Sequence, residues 1–398
     1  MSVPLDRLYH FLYDHCDRDV IIYHFFPHGS KKPENVSPLL PNKDTGLADS
    51  YLNIPVLFHD QEPLSFNDWG LIPNGFKIPG HPYSKLKVRT NRFNLYDKPI
   101  LVHSELNSRE VEKFEQDGAI PAYYWSHAVI ARDWFRYAEH DQQLGVKDIK
   151  KKFLIYNRAW KGTREYRLKF ADLLVQHNIQ DQCITSFNPT DGNEHYTQHC
   201  FDNPTLVPSR TDLENFFPLN AAPSWASADY VAADYQSTEI EVILETMFDD
   251  TRWHITEKAL RALAVAQPFI LCSTPGSLKY LRSYGFETFG QCWDESYDDI
   301  QDPAQRLEAI VALMKSVSND SLELARRIAK RNQQHFFSAT FMDSVMSEFK
   351  TNLATAVTEA KKYKSGVYFV RQSNISASIR NIAPKEVFDC VENLPSQD

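Results

Sequence analysis

The stretch from Thr256 to Gly285 constrains the fold most, because it reads as helix, strand and helix with almost no residues left over. Thr256 is an N-cap residue type, and Leu260, Leu263 and Ala264 follow at helical spacing until Gln267-Pro268 stops the run. Pro268-Phe269-Ile270-Leu271-Cys272 is an apolar run of strand length. Beyond Ser273-Thr274-Pro275-Gly276, the spacing of Leu278 and Leu281 predicts a short amphipathic helix closed by Gly285. A unit of this kind builds a doubly wound α/β domain.

The same alternation runs through the rest of the chain. Strands are expected at 19–25, 54–59, 99–103 and 120–125, with a helix from about Ser108 to Gln116 stopped by Asp117-Gly118, so that 99–125 forms a βαβ unit. A second series starts with a strand at 152–157, continues with a helix through Tyr166, Leu168, Phe170 and Leu173, and includes a strand at 239–247. Residues 303–360 read as helical, with Leu307, Ile310, Leu313 and Met314 on one face, whereas the polar, aromatic-bearing stretch 180–240 gives no clear period. The charged run Lys147–Lys152 is the expected linker. The organisation that follows is an N-terminal Rossmann-like domain over 1–147, a C-terminal Rossmann-like domain over 152–350, and a helical extension and tail over 351–398.

Length supports this division, since 398 residues suffice for two cores of ordinary size. No apolar run reaches the roughly 18 residues needed to cross a bilayer, and the N-terminal residues lack the basic and apolar blocks of a signal peptide, so a cytoplasmic protein without a membrane partner is expected. Six cysteines, at 16, 183, 200, 272, 292 and 390, show no CxxC spacing and read as reduced thiols. The net charge of −9 argues against a purely electrostatic nucleic-acid binder. Charge is distributed unevenly, however: Lys85, Lys87, Arg89, Arg92 and Lys98 cluster with Tyr83, Phe93 and Tyr96, a mixture suited to contacting phosphates and stacking on bases.

Thr256, Glu257 and Lys258 place an acid and a base side by side at a helix start, where N–H groups and the dipole favour a diphosphate. Lys258 would add a mobile cation and Glu257 would bind hydroxyls, a pairing suited to a nucleotide sugar. Ile255-Thr256-Glu257-Lys258 followed by a helix and Gln267-Pro268-Phe269-Ile270 resembles the donor-binding motif of α1,3-fucosyltransferases and exostosin-like glycosyltransferases. Leu281 to Phe289, together with Trp293-Asp294-Glu295-Ser296-Tyr297-Asp298, is similar to a group of tailed-phage glycosyltransferase-like proteins; the likeness covers about residues 250–310. The resemblance implies a GT-B-like enzyme, two Rossmann-like domains facing a cleft with C-terminal helices. It also implies a nucleotide-sugar cosubstrate, UDP-linked by expectation, no further cofactor, and double-stranded DNA carrying 5-hydroxymethylcytosine as acceptor, with arabinosyl transfer the nearest expectation.

Arg158, Lys161 and Arg164 follow the strand at 152–157, where open α/β sheets leave a crevice, and are expected to meet the diphosphate with Lys258 in place of a metal. For the base that takes the acceptor's proton, Asp60 and Glu62 follow the strand at 54–59, with Asp60 nearest its end, and His127 follows Trp125-Ser126. Lys85, Lys87, Arg89 and Arg92 are the expected acceptor-binding residues. The acidic cluster Asp294-Glu295 and Asp298-Asp299 lacks the spacing of a cation loop and is read as a solvated helix start; no metal ligands are expected. Two other readings stay open, a glycan-directed fucosyltransferase-like enzyme and a non-catalytic carbohydrate-binding or virion protein of the same fold.

Overall fold

The computed structural model describes residues 20–25, 54–59, 63–66, 98–217 and 229–363. The chain divides into two compact units, one comprising Met1–Ser126 with Met346–Asp398 and the other His127–Val345. Both are built on parallel sheets, and the fold is mixed α/β as the alternation predicts.

In the first unit, strands β1 (Val20–Phe25), β2 (Ile54–His59), β3 (Ile100–His103) and β4 (Ile120–Tyr123) lie side by side in that order, all parallel. β3 is buried along its whole length, which a central parallel strand requires because both faces are covered. Helix α1 (Arg109–Gln116) connects β3 to β4. Ser108 caps it by accepting from the Val111 N–H, Phe114 alone turns fully inward, and Gly118 at φ +99° lets the chain reverse into β4. The buried Glu105 carboxylate ties this connection together, accepting from the Leu64 N–H at 2.6 Å and the Ser108 hydroxyl at 2.5 Å.

Helix α2 (Ser126–Trp134) leads into the second unit. There β5 (Lys151–Asn157), helix α3 (Tyr166–Gln176), β6 (Cys183–Phe187), the short antiparallel pair β7 (Thr190–Asp191) and β8 (Glu194–His195), and helix α4 (Ala232–Gln236) precede β9 (Thr238–Leu244). Helix α5 (Glu257–Ala264), β10 (Phe269–Cys272) and helices α6 (Ser277–Ser283), α7 (Pro303–Ser316), α8 (Leu322–Phe337) and α9 (Ala339–Lys361) follow. The stretch 303–360 is therefore three helices, broken at Val317 and Ser338, and α9 begins in the second unit and ends in the first.

The four long strands order as β10-β9-β5-β6, all parallel. The chain steps outward from β5 to β6 and then returns to the other side of β5 with β9. Sheet order thus reverses between β5 and β9, and their carboxyl ends flank the crevice where ligands bind in open α/β sheets. β9 is buried throughout yet carries Glu239 and Glu241. Each is neutralised: Arg326 meets Glu239 at 2.6 Å, and Arg261 meets Glu241 at 2.7 Å while Tyr235 donates its hydroxyl to the same carboxylate.

Two expectations change. The unit boundary falls at Ser126/His127 instead of at Lys147–Lys152, and Met346 onward returns to the first unit instead of forming a separate extension. The Lys147–Lys152 run is not a linker. Its Lys147 ammonium donates to the Tyr235 and Thr238 carbonyls and to Gln267, at 2.8, 3.2 and 2.8 Å, and burial lowers its pKa to about 8. A charged run reads as solvated until its neighbours are known, and here carbonyls at the start of β9 are the neighbours. Among the described residues no helix is long and apolar enough to cross a membrane.

Candidate functional site at the carboxyl ends of β5 and β9

β9 ends at Leu244, and the next residue, Glu245, is completely buried. Its carboxylate accepts from the Thr256 N–H at 3.1 Å, the Thr256 hydroxyl at 2.6 Å and the Thr246 N–H at 3.1 Å. This clasp joins the two ends of the loop 246–255. From the other side, Arg167 on α3 donates to the carbonyls of Leu244 and Glu245 and to that of Ala159 after β5, so one guanidinium holds the ends of both strands. The Tyr166 hydroxyl adds a bond to the Glu245 carbonyl at 2.7 Å.

Thr256 is the N-cap of α5, accepting from the Lys258 N–H as the sequence predicts. The start of the helix differs from expectation in one respect. Its cap N–H and hydroxyl are met by Glu245 and the Lys258 N–H by Thr256, so these groups face protein oxygens instead of lying open for a diphosphate. Nor is Lys258 a mobile cation. Its ammonium is held by Glu257 at 2.9 Å, Thr256 at 3.1 Å and Thr246 at 3.2 Å, with 22% of the side chain exposed.

Glu257 is buried, and the second turn of contacts around it comes from α2: His127 Nδ1 lies 3.4 Å from Glu257 Oε2. Burial pushes the Glu257 carboxyl up, but the Lys258 ammonium and the His127 imidazole outweigh it and hold the group well below the usual carboxylate range. An ionised carboxylate this close to an imidazole nitrogen favours the tautomer that carries its proton on that nitrogen. The His254 ring meets the His127 ring edge-on, centroids 5.1 Å apart. His254 is 1% exposed, and neither of its nitrogens has a hydrogen-bond partner among the described residues. Such an unmet group costs about 1–3 kcal/mol.

The loop bearing His254 is pinned at Trp253, whose indole N–H donates to the Pro275 carbonyl at 2.8 Å and whose ring covers Gly276. Gly276 has φ +80°, and a Cβ there would sit 3.0 Å from the indole. Gly276→Ala therefore combines left-handed strain with overlap against a tethered ring, and is expected to destabilise the second unit by about 1–3 kcal/mol, read from the urea midpoint.

The basic residues after β5 take separate places. Arg158 is exposed, and its carbonyl accepts from Asn188. Lys161 pairs with Glu194 at 2.9 Å, part of a network in which His199 bonds both Glu194 and the buried Glu165. Arg164 is half-buried and lies within electrostatic range of Arg167. The acidic cluster lies at a short 3₁₀ helix, Ser296–Asp299, and is solvated only in part, at Asp294 and Asp299. Asp298 is buried and accepts from the Leu278 N–H at 3.1 Å, capping α6, with burial raising its pKa to about 6, and Glu295 accepts from Thr288 and the Phe289 N–H. Among the described residues no group of three or more His, Cys, Asp and Glu side chains is arranged to hold a metal ion. Asp60 and Glu62, and Lys85, Lys87, Arg89 and Arg92, lie outside the described residues.

Glu245, Arg167 and His254 were not singled out from sequence. Glu245 carried a slight signal, a charged residue immediately after the apolar run Val242-Ile243-Leu244; Arg167 carried none, since its helix reads as an ordinary amphipathic one. Comparison with protein-family models, curated proteins and solved structures finds no match to this chain.

Proposed function

We propose that the protein transfers a sugar from a nucleotide-sugar donor to a hydroxyl acceptor, with the donor bound by the second unit at the carboxyl ends of β5 and β9. The observation that carries this reading is the ionised Glu257 held between Lys258 and His127, just past the point where the sheet order reverses. Each group has a task in such a transfer. Glu257 orients His127, His127 takes the acceptor's proton as its oxygen attacks the anomeric carbon, and Lys258, Arg158 and Arg164 meet the negative charge that develops on the departing diphosphate. Two parallel α/β units accord with a GT-B enzyme. The acceptor we propose is 5-hydroxymethylcytosine in duplex DNA, on the sequence likeness to tailed-phage glycosyltransferases and the basic, aromatic stretch 83–98.

Mass spectrometry of nucleosides from hydroxymethylated DNA, after incubation with the protein and a panel of nucleotide sugars, tests the assignment. A pentose or hexose adduct on the modified base is the expected result. Release of nucleoside diphosphate with glycans but not with DNA would move the acceptor; no release with any acceptor would end the enzymatic reading. Lys258→Ala should weaken nucleoside diphosphate binding and slow transfer by about a hundredfold, since it removes a charge-assisted contact to the leaving group and leaves Glu257 without its counter-ion. Calorimetry and initial rates measure the two effects.

A further inference from the structure

His254 stands apart in this site because both nitrogens of its buried ring are unmet among the described residues. Its ring is buried, lies edge-on to His127, and has no hydrogen-bond partner at Nδ1 or Nε2 among the described residues. An imidazole carries at least one N–H in any protonation state, so at least one acceptor is missing. The nearby carboxylates do not supply it. Glu245 already receives the Thr256 N–H, the Thr256 hydroxyl and the Thr246 N–H, while Glu257 receives Lys258 and faces His127. The backbone on either side is also fixed: Trp253 is tethered to Pro275, and Thr256 is clasped by Glu245.

We propose that His254 is an anion-binding residue of the donor site, its ring N–H donating to a phosphoryl oxygen of the nucleoside diphosphate. The assignment rests on the donor reading above and names a further anion contact for it, since the Thr256 and Lys258 N–H groups at the start of α5 already meet protein oxygens. The missing partner must accept, and in a nucleotide sugar the phosphoryl oxygens are the strongest acceptors. His254 precedes the α5 cap by two residues, so an anion there also gains from the positive end of the helix and from Lys258. A sugar hydroxyl can also accept from the ring N–H, but as a neutral group it is a weaker acceptor than an ionised phosphoryl oxygen.

The test measures binding of UDP, GDP, inorganic pyrophosphate and the free nucleosides by calorimetry, in the wild type, His254→Phe and His254→Gln. His254→Phe is expected to bind nucleoside diphosphate and pyrophosphate at least about tenfold more weakly, with nucleoside binding unchanged. Its unfolding midpoint should stay level or rise, since an apolar ring of similar shape removes the unmet polar atoms. His254→Gln should recover part of the affinity through its amide N–H and keeps the test open should the Phe variant fail to fold. Undiminished diphosphate affinity in His254→Phe overturns the proposal and assigns the nitrogens to internal water. Weakened nucleoside binding with unchanged pyrophosphate binding also overturns it, since the ring would then read base or ribose. A wild-type protein that binds no diphosphate defeats the donor reading itself, an outcome separate from either of these.

Discussion

His127→Asn is expected to bind nucleoside diphosphate with wild-type affinity and to lose about 10²–10⁴-fold in turnover. That range is the contribution of a positioned general base. The geometry behind it is the 3.4 Å approach of His127 Nδ1 to the ionised Glu257, which leaves the other ring nitrogen as the basic one. Asparagine keeps a polar side chain of similar reach but cannot take up a proton. Single-turnover measurements with donor pre-bound isolate the chemical step, and the pH–rate profile should lose the acid limb that protonation of an imidazole base imposes. In the proposed transfer His127 and Glu257 act as a unit, so His127→Asn with Glu257→Gln should be little slower than His127→Asn alone. A His127→Asn protein with full turnover would return the role to Asp60 or Glu62.

The sequence carried the fold further than the site, and the reason is the range of the interactions involved. α5 and β10 were readable because cap, helical spacing, a stop at Gln267-Pro268 and an apolar strand are local signals, and the structure places these elements within a residue or two of the reading. β9 was readable as a strand but not as a charged central one: the arginines that neutralise Glu239 and Glu241 are Arg326, far along the chain, and Arg261, on the next element. Lys147 misled for the same reason, since its acceptors Tyr235, Thr238 and Gln267 are about a hundred residues away in sequence. At the site, Thr256, Glu257 and Lys258 were visible as a motif, but their roles turn on Glu245 and His127, which reach the α5 start from β9 and α2. Local spacing predicts a helix start; only tertiary contacts decide whether its N–H groups stay open. Asp298 shows the converse. Four acids in six residues read as a solvated surface, and burial against α6 turned one of them into a cap.

The first unit should lose stability on mild acidification, because of His103. This residue ends β3, is 3% exposed, and its ring packs edge-on against Tyr123. Burial, with a smaller contribution from neighbouring His59, lowers its pKa from 6.5 to about 3. The folded value lies below the unfolded one, so between pH 6.5 and about 3 the unfolded chain takes up a proton that the native ring refuses. Stability is therefore complete above pH 6.5 and falls as the pH drops, by up to about 1.4 kcal/mol per unit and on the order of 4–5 kcal/mol across the window. That is a large share of the roughly 5–15 kcal/mol that holds a domain together. Glu257 acts in the same direction but in a lower window, below the ordinary carboxylate range, and in the other unit, so the two do not overlap above pH 5. Hydrogen exchange of the β3 amides, Ile100–His103, between pH 7.5 and 5 reports the first unit separately once the intrinsic pH dependence of exchange is removed. Wild-type protection should fall over that range. His103→Phe, which keeps the aromatic packing and removes the titrating group, should flatten the slope; a slope unchanged in this variant would place the acid sensitivity elsewhere.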